Sequence, residues 1–68
     1  MANLEALKQK IRESGMMVSA VAEKSGITRA TLYQRLNGNA DFRVSEALNI
    51  ADTLRLSKEE ADRIFFSR

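Results

Sequence analysis

The sequence predicts an all-α protein, a compact bundle of five helices. Three observations predict it. Apolar residues recur at three-and-four spacing in every segment, and no segment alternates with period two over a useful length. Gly15, Gly26 and Gly38 stand at near-even intervals, and the chain has no proline to break a helix between them.

The first helix lies between Asn3 and Ser14, with Leu4, Leu7 and Ile11 on one face and Glu5, Lys8, Lys10, Arg12 and Glu13 on the remainder. Asn3 is placed to cap its start, and Gly15 to take the left-handed conformation past its end. The second runs from Val18 to Ser25 on Val18, Val21 and Ala22, and Gly26 follows directly. Thr28 offers a cap for a third helix, in which Leu32 and Leu36 share a face and Asn37-Gly38-Asn39 supplies the stop. The fourth spans Val44 to Leu54 with an apolar stripe of Val44, Ala47, Leu48, Ala51 and Leu54. Ser57-Lys58-Glu59-Glu60 has capping-box order and announces a fifth, with Ala61, Ile64 and Phe65 facing inward. With 68 residues and no linker or repeat, all five share one core in a single domain, 1–68.

Composition closes several functional routes. An apolar fraction of 44% with 29% charged residues describes a soluble globular chain. Without Cys or His there is no disulfide, thiolate nucleophile, imidazole base or zinc knuckle, so no catalytic, metal or cofactor site is expected. Glu59 and Glu60 are neighbours at an exposed first helical turn; they lack the pocket that acid–base chemistry needs and suit the helix N-terminus instead. Nothing supports an enzyme or a small-molecule ligand. The start resembles no signal peptide, and no apolar stretch approaches the ~18 residues of a membrane span, so the expected location is cytoplasmic.

Two short helices joined by the three-residue corner Gly26-Ile27-Thr28 form a helix-turn-helix pattern. Its demands are met in order: small Ala22 where the helices cross, Gly26 at the corner, and Ile27, Leu32 and Leu36 as anchors to the core. The stretch VSAVAEKSGITRATLYQRLNG, Val18 to Gly38, resembles the lambda-repressor-like Cro/repressor family of bacterial and phage transcription regulators. The TLYQRLNG stretch, the loop ending in Asp41-Phe42-Arg43 and the tail KEEADRIFF further resemble small phage-encoded Cro-like repressors of Gram-positive bacteria. That resemblance implies a lambda-repressor-like domain whose third helix enters the major groove of double-stranded operator DNA, acting as a homodimer. Departures stand at Met17 and Val18, where the family commonly has a Thr cap and a phosphate-contacting Gln, and at Arg35, where it usually has an apolar residue. The apolar role passes to Leu36, which implies a slightly rotated third helix.

Turning Leu32 and Leu36 inward leaves Ala30, Gln34 and Asn37 facing out, flanked by Thr31 and Tyr33. Arg29 reaches past the helix end. Arg29 suits guanine, Gln34 suits adenine, and the methyl groups of Ala30 and Thr31 suit thymine. These four are the base-reading candidates. Thr28, Tyr33, Arg35, Asn37, Asn39 and Arg43 are the DNA-backbone candidates, Thr28 serving also as a helix cap. Arg29 and Arg35 have surface pairing with Glu23 or Asp41 as a competing role, and Tyr33 has packing over the following loop.

The net charge is only +2, yet residues 28–43 hold three basic side chains against one acidic, while 44–68 hold four against five. The positive surplus falls on the proposed reading segment. So few cations per copy favour two copies acting together. Phe66 is the candidate dimer contact, because Phe65 and Phe66 point about 100° apart on a helix and only one fits the core; folding back over the first helix is the competing fate. A second functional class uses the same scaffold as a protein-interaction module, antirepressor-like or antitoxin-like, gripping a partner through Phe66 and the last helix.

Overall fold

Each helix begins where a side chain or an extended residue stops the chain from winding further back. The computed structural model describes residues 2–66, and three residues of the expected domain, Met1, Ser67 and Arg68, lie outside the described residues. The helices are α1 (Leu4–Ser14), α2 (Val18–Lys24), α3 (Arg29–Leu36), α4 (Val44–Thr53) and α5 (Lys58–Ala61), the last continuing into a π-helical turn, Asp62–Phe66. No strand occurs among the described residues.

The caps are those the sequence advertises. Asn3 Oδ1 accepts the Ala6 N–H at 3.1 Å. Ser57 Oγ accepts the Glu60 N–H at 3.1 Å while the Glu60 carboxylate accepts the Ser57 N–H at 2.9 Å, so two otherwise orphaned donors are satisfied reciprocally. At the start of α2, Met17 is extended and contributes no side-chain cap bond. Helix ends follow one scheme: after α2, α3 and α4 the chain turns left-handed at Gly26, Gly38 and Arg55 respectively. The next N–H then reaches back to Ala22, Gln34 and Ala51. Arg55 does this without being glycine, at φ 55°.

The core gathers Leu7 and Ile11 of α1, Val21 and Ala22 of α2, Leu32 and Leu36 of α3, Ala47, Ile50 and Ala51 of α4, and Ile64 and Phe65 of the terminal turn. Burying each of the larger side chains stabilises the fold by about 1.5–3 kcal/mol. The start of α1 meets the terminal turn, since the Asn3 N–H donates to the Ile64 carbonyl at 2.6 Å. Lys10 of α1 is ion-paired with Glu60 of α5.

Two elements differ from expectation. In α4, Val44 and Leu48 are 63% and 56% exposed. The buried arc is turned toward Glu46, Ala47, Ile50 and Ala51, because Ile50 fills the core and Glu46 pairs with Arg35 of α3. The fifth helix is α-helical for only one turn before widening to π winding. A wider turn leaves a smaller angle between neighbours, so Ile64 and Phe65 both reach the core while Phe66 stays outside.

Candidate nucleic-acid interface

The corner between α2 and α3 is held by backbone geometry. Gly26 at φ 75° lets its N–H donate to Glu23 O at 3.2 Å and the Ile27 N–H to Ala22 O at 3.1 Å. Such a φ is natural to glycine and costs other residues about 1–2 kcal/mol. Ser25, buried beside it, donates its hydroxyl to Thr53 Oγ1 at 3.0 Å and so pins the corner to the end of α4. Half-buried Ile27 packs against the core, as the anchor pattern requires.

Thr28 Oγ1 accepts the Thr31 N–H at 3.0 Å and donates to Thr31 Oγ1 at 2.9 Å. Its first role is therefore the helix cap. With Leu32 and Leu36 buried, α3 turns Arg29, Ala30, Tyr33 and Gln34 to solvent, and Asn37 follows at its end. Three of the four base-reading candidates thus share one exposed face. Thr31 is half-buried, its hydroxyl engaged by Thr28. The Arg29 guanidinium carbon lies 5.6 Å from the centre of the Tyr33 ring one turn on, a cation–π contact that steadies both at the face. Asn39 and Arg43 are exposed in and after the loop that leaves α3.

Arg35 departs from its expected place at a phosphate, or on the surface with Glu23 or Asp41. The structure turns it inward onto Glu46, Nε to Oε1 at 2.9 Å and Nη2 to Oε2 at 3.1 Å. The two side chains are only 12% and 11% exposed. A planar guanidinium matched to both carboxylate oxygens is already saturated along that edge. The Arg35 hydrogen bonds hold the Glu46 carboxyl below the usual carboxylate range, against the opposing effect of burial and with help from the Arg43 N–H. The same bonds raise Arg35 above its ordinary value.

Glu46 also accepts the Arg43 N–H at 3.0 Å, which caps α4. It was missed by sequence reasoning, and the local signal for it was a carboxylate three residues into a helix start; its partner eleven residues back becomes visible only in the fold. Phe42 was missed too as a loop anchor. Its ring meets Phe65 edge-on, centroids 5.4 Å apart at 77°.

Phe66 is 45% exposed and leans on Phe65, ring centres 6.2 Å apart. It rims an open cleft of about 220 Å³ with Ala2, Asp41, Phe42, Val44, Ala47 and Phe65. Val44 and Leu48, four apart on α4, extend the same apolar surface. Among the described residues no helix is long and apolar enough to cross a membrane.

In comparisons with known proteins, a family model described as helix-turn-helix matches residues 7–60. No curated protein and no solved structure matches the chain.

Proposed function

The chain belongs to the helix-turn-helix family of DNA-binding regulators, and from that premise we propose that it is a Cro-like repressor that reads operator DNA with α3. The observation that carries the reading is the outer face of α3. Arg29, Ala30 and Gln34 stand together on a helix capped at its start, buried along its back and set at a tight corner. Such a helix presents its N-terminal residues to base edges in the major groove.

Arg29 forks onto the O6 and N7 of guanine, and Gln34 pairs with the N6 and N7 of adenine. The methyl group of Ala30, and the half-buried one of Thr31, meet thymine. Tyr33, Asn37, Asn39 and Arg43 meet phosphates, which fixes register without reading sequence. Thr28 supports the same end of the helix as its cap.

Two copies bind one palindromic site, their α3 helices about 34 Å apart in successive major grooves, and exclude polymerase by occupancy. The apolar surface of Phe66, Val44 and Leu48 supports a second copy of the chain as the partner. With few cations available to each copy, pairing raises affinity more readily than any single contact.

The test is binding to a duplex from the promoter of its own operon and to a scrambled duplex, for wild type, Arg29→Ala and Gln34→Ala. Each substitution is expected to weaken binding to the promoter by about 5- to 140-fold, the worth of one bidentate base contact. Binding to scrambled DNA should change far less. Equal affinity of all three proteins for both duplexes would remove the sequence-reading proposal and favour the scaffold as a protein-binding module.

A further inference from the structure

A carboxylate held by three hydrogen bonds lies behind the exposed face of α3. Glu46 Oε1 receives both Arg35 Nε, from the last turn of α3, and the backbone N–H of Arg43, at the start of α4. One carboxylate therefore closes the loop 37–43 from both ends. That loop carries Asn37, Asn39 and Arg43, and Phe42 ties its far end to Phe65.

A bidentate guanidinium–carboxylate pair is planar and tolerates little rotation. Joined to the last turn of α3, it restrains the rotation of that helix about its own axis. Buried Leu32 and Leu36 turn the apolar face of α3 inward, and the fork on Glu46 adds a directional polar restraint at its last turn.

We propose that Arg35 and Glu46 form a positioning pair that sets the presentation of α3 and of the 37–43 loop to DNA, with Arg35 making no phosphate contact. The proposal rests on the DNA-reading function above. It gives Glu46 a part in recognition although a carboxylate is repelled by DNA, and it accounts for an arginine in the reading helix that turns away from the groove side.

The experiment compares wild type, Glu46→Gln, Arg35→Lys and Arg35→Met on the promoter duplex and a scrambled duplex over a range of salt. Circular dichroism at low temperature verifies folding. Glu46→Gln separates the alternatives by sign. A positioning pair predicts weaker promoter binding by at least about fivefold, the low end of a misplaced base contact. An arginine released toward phosphate predicts tighter binding to both duplexes.

Arg35→Lys keeps the charge but loses the planar fork, so promoter preference should fall while the salt slope stays that of wild type. Arg35→Met should likewise leave the slope unchanged, whereas loss of a phosphate contact lowers it by about 1. Tighter binding by Glu46→Gln, a slope reduced in Arg35→Met, or full promoter preference in folded Arg35→Lys and Glu46→Gln would each overturn the proposal. A wild type that fails to prefer the promoter duplex would instead mark failure of the DNA-reading function on which it rests. Should Arg35→Met not fold, the milder Lys and Gln variants still decide the matter.

Discussion

Two helical leucines should respond very differently to the same truncation. Leu32 of α3 has no surface exposed to solvent, whereas Leu48 of α4 is more than half exposed. Replacing a fully buried leucine by alanine costs about 2–5 kcal/mol, the lost transfer energy plus the cavity left behind. A 68-residue domain has a total stability of roughly 3–10 kcal/mol, so Leu32→Ala removes about a fifth of it or more. At an unfolding entropy near 0.14 kcal/mol/K for this length, a loss of ~3 kcal/mol lowers Tm by about 20 °C. Leu48→Ala should stay within about 0.5 kcal/mol, under ~4 °C. The assay is thermal unfolding followed by far-ultraviolet circular dichroism, repeated at several dilutions because Leu48 belongs to the proposed dimer surface. A Tm loss for Leu48→Ala as large as that for Leu32→Ala at every dilution would refute the rotation of α4 and restore the Val44–Leu48 face to the core.

Three further outcomes are expected. Thr28→Ala should cost about 1 kcal/mol by chemical denaturation, while Thr28→Ser retains most of the cap. Glu60 is held down to about 2, first by the Lys10 hydrogen bond and then by the Ser57 N–H, from an ordinary 4.5. Because the folded value lies below the unfolded one, its stabilisation is complete above pH 4.5 and is lost as pH falls toward 2. Glu60→Gln should flatten the dependence of Tm on pH across that window, and an unchanged profile would count against the α1–α5 tie. Phe66→Glu should give a folded monomer with weakened promoter binding in sedimentation and binding assays; an unfolded protein or an unchanged oligomer would take Phe66 out of the dimer surface.

The features legible in the sequence are those with local causes. Asn3, Thr28 and Ser57 cap helices through bonds to residues three positions on, and Gly15, Gly26 and Gly38 end them through their own φ, so neither needs the fold to be known. The inward faces of α1, α2 and α3 follow from periodicity for the same reason. Much of what escaped prediction depends on partners far along the chain. The inward turn of Arg35 and part of the rotation of α4 come from the pairing of Arg35 with Glu46, eleven residues apart; the rest of the rotation follows Ile50, an apolar residue of α4 that the expected stripe leaves out. Ser25 looks like an ordinary helix end until Thr53 is beside it. The π winding near the C-terminus goes with Ile64 and Phe65 both lying in the core. The charge reading is also altered: of the three basic residues between positions 28 and 43, one is neutralised within the fold, leaving Arg29 and Arg43 exposed.

The central claim, that α3 reads base sequence, is tested most directly by selecting bound duplexes from a random pool with wild type and with Gln34→Ala. The account predicts that wild type enriches inverted half-sites about one helical turn apart. Gln34→Ala should lose preference at one base-pair position in each half-site and keep the others. No enrichment by wild type, or identical preferences in the two proteins, would contradict it.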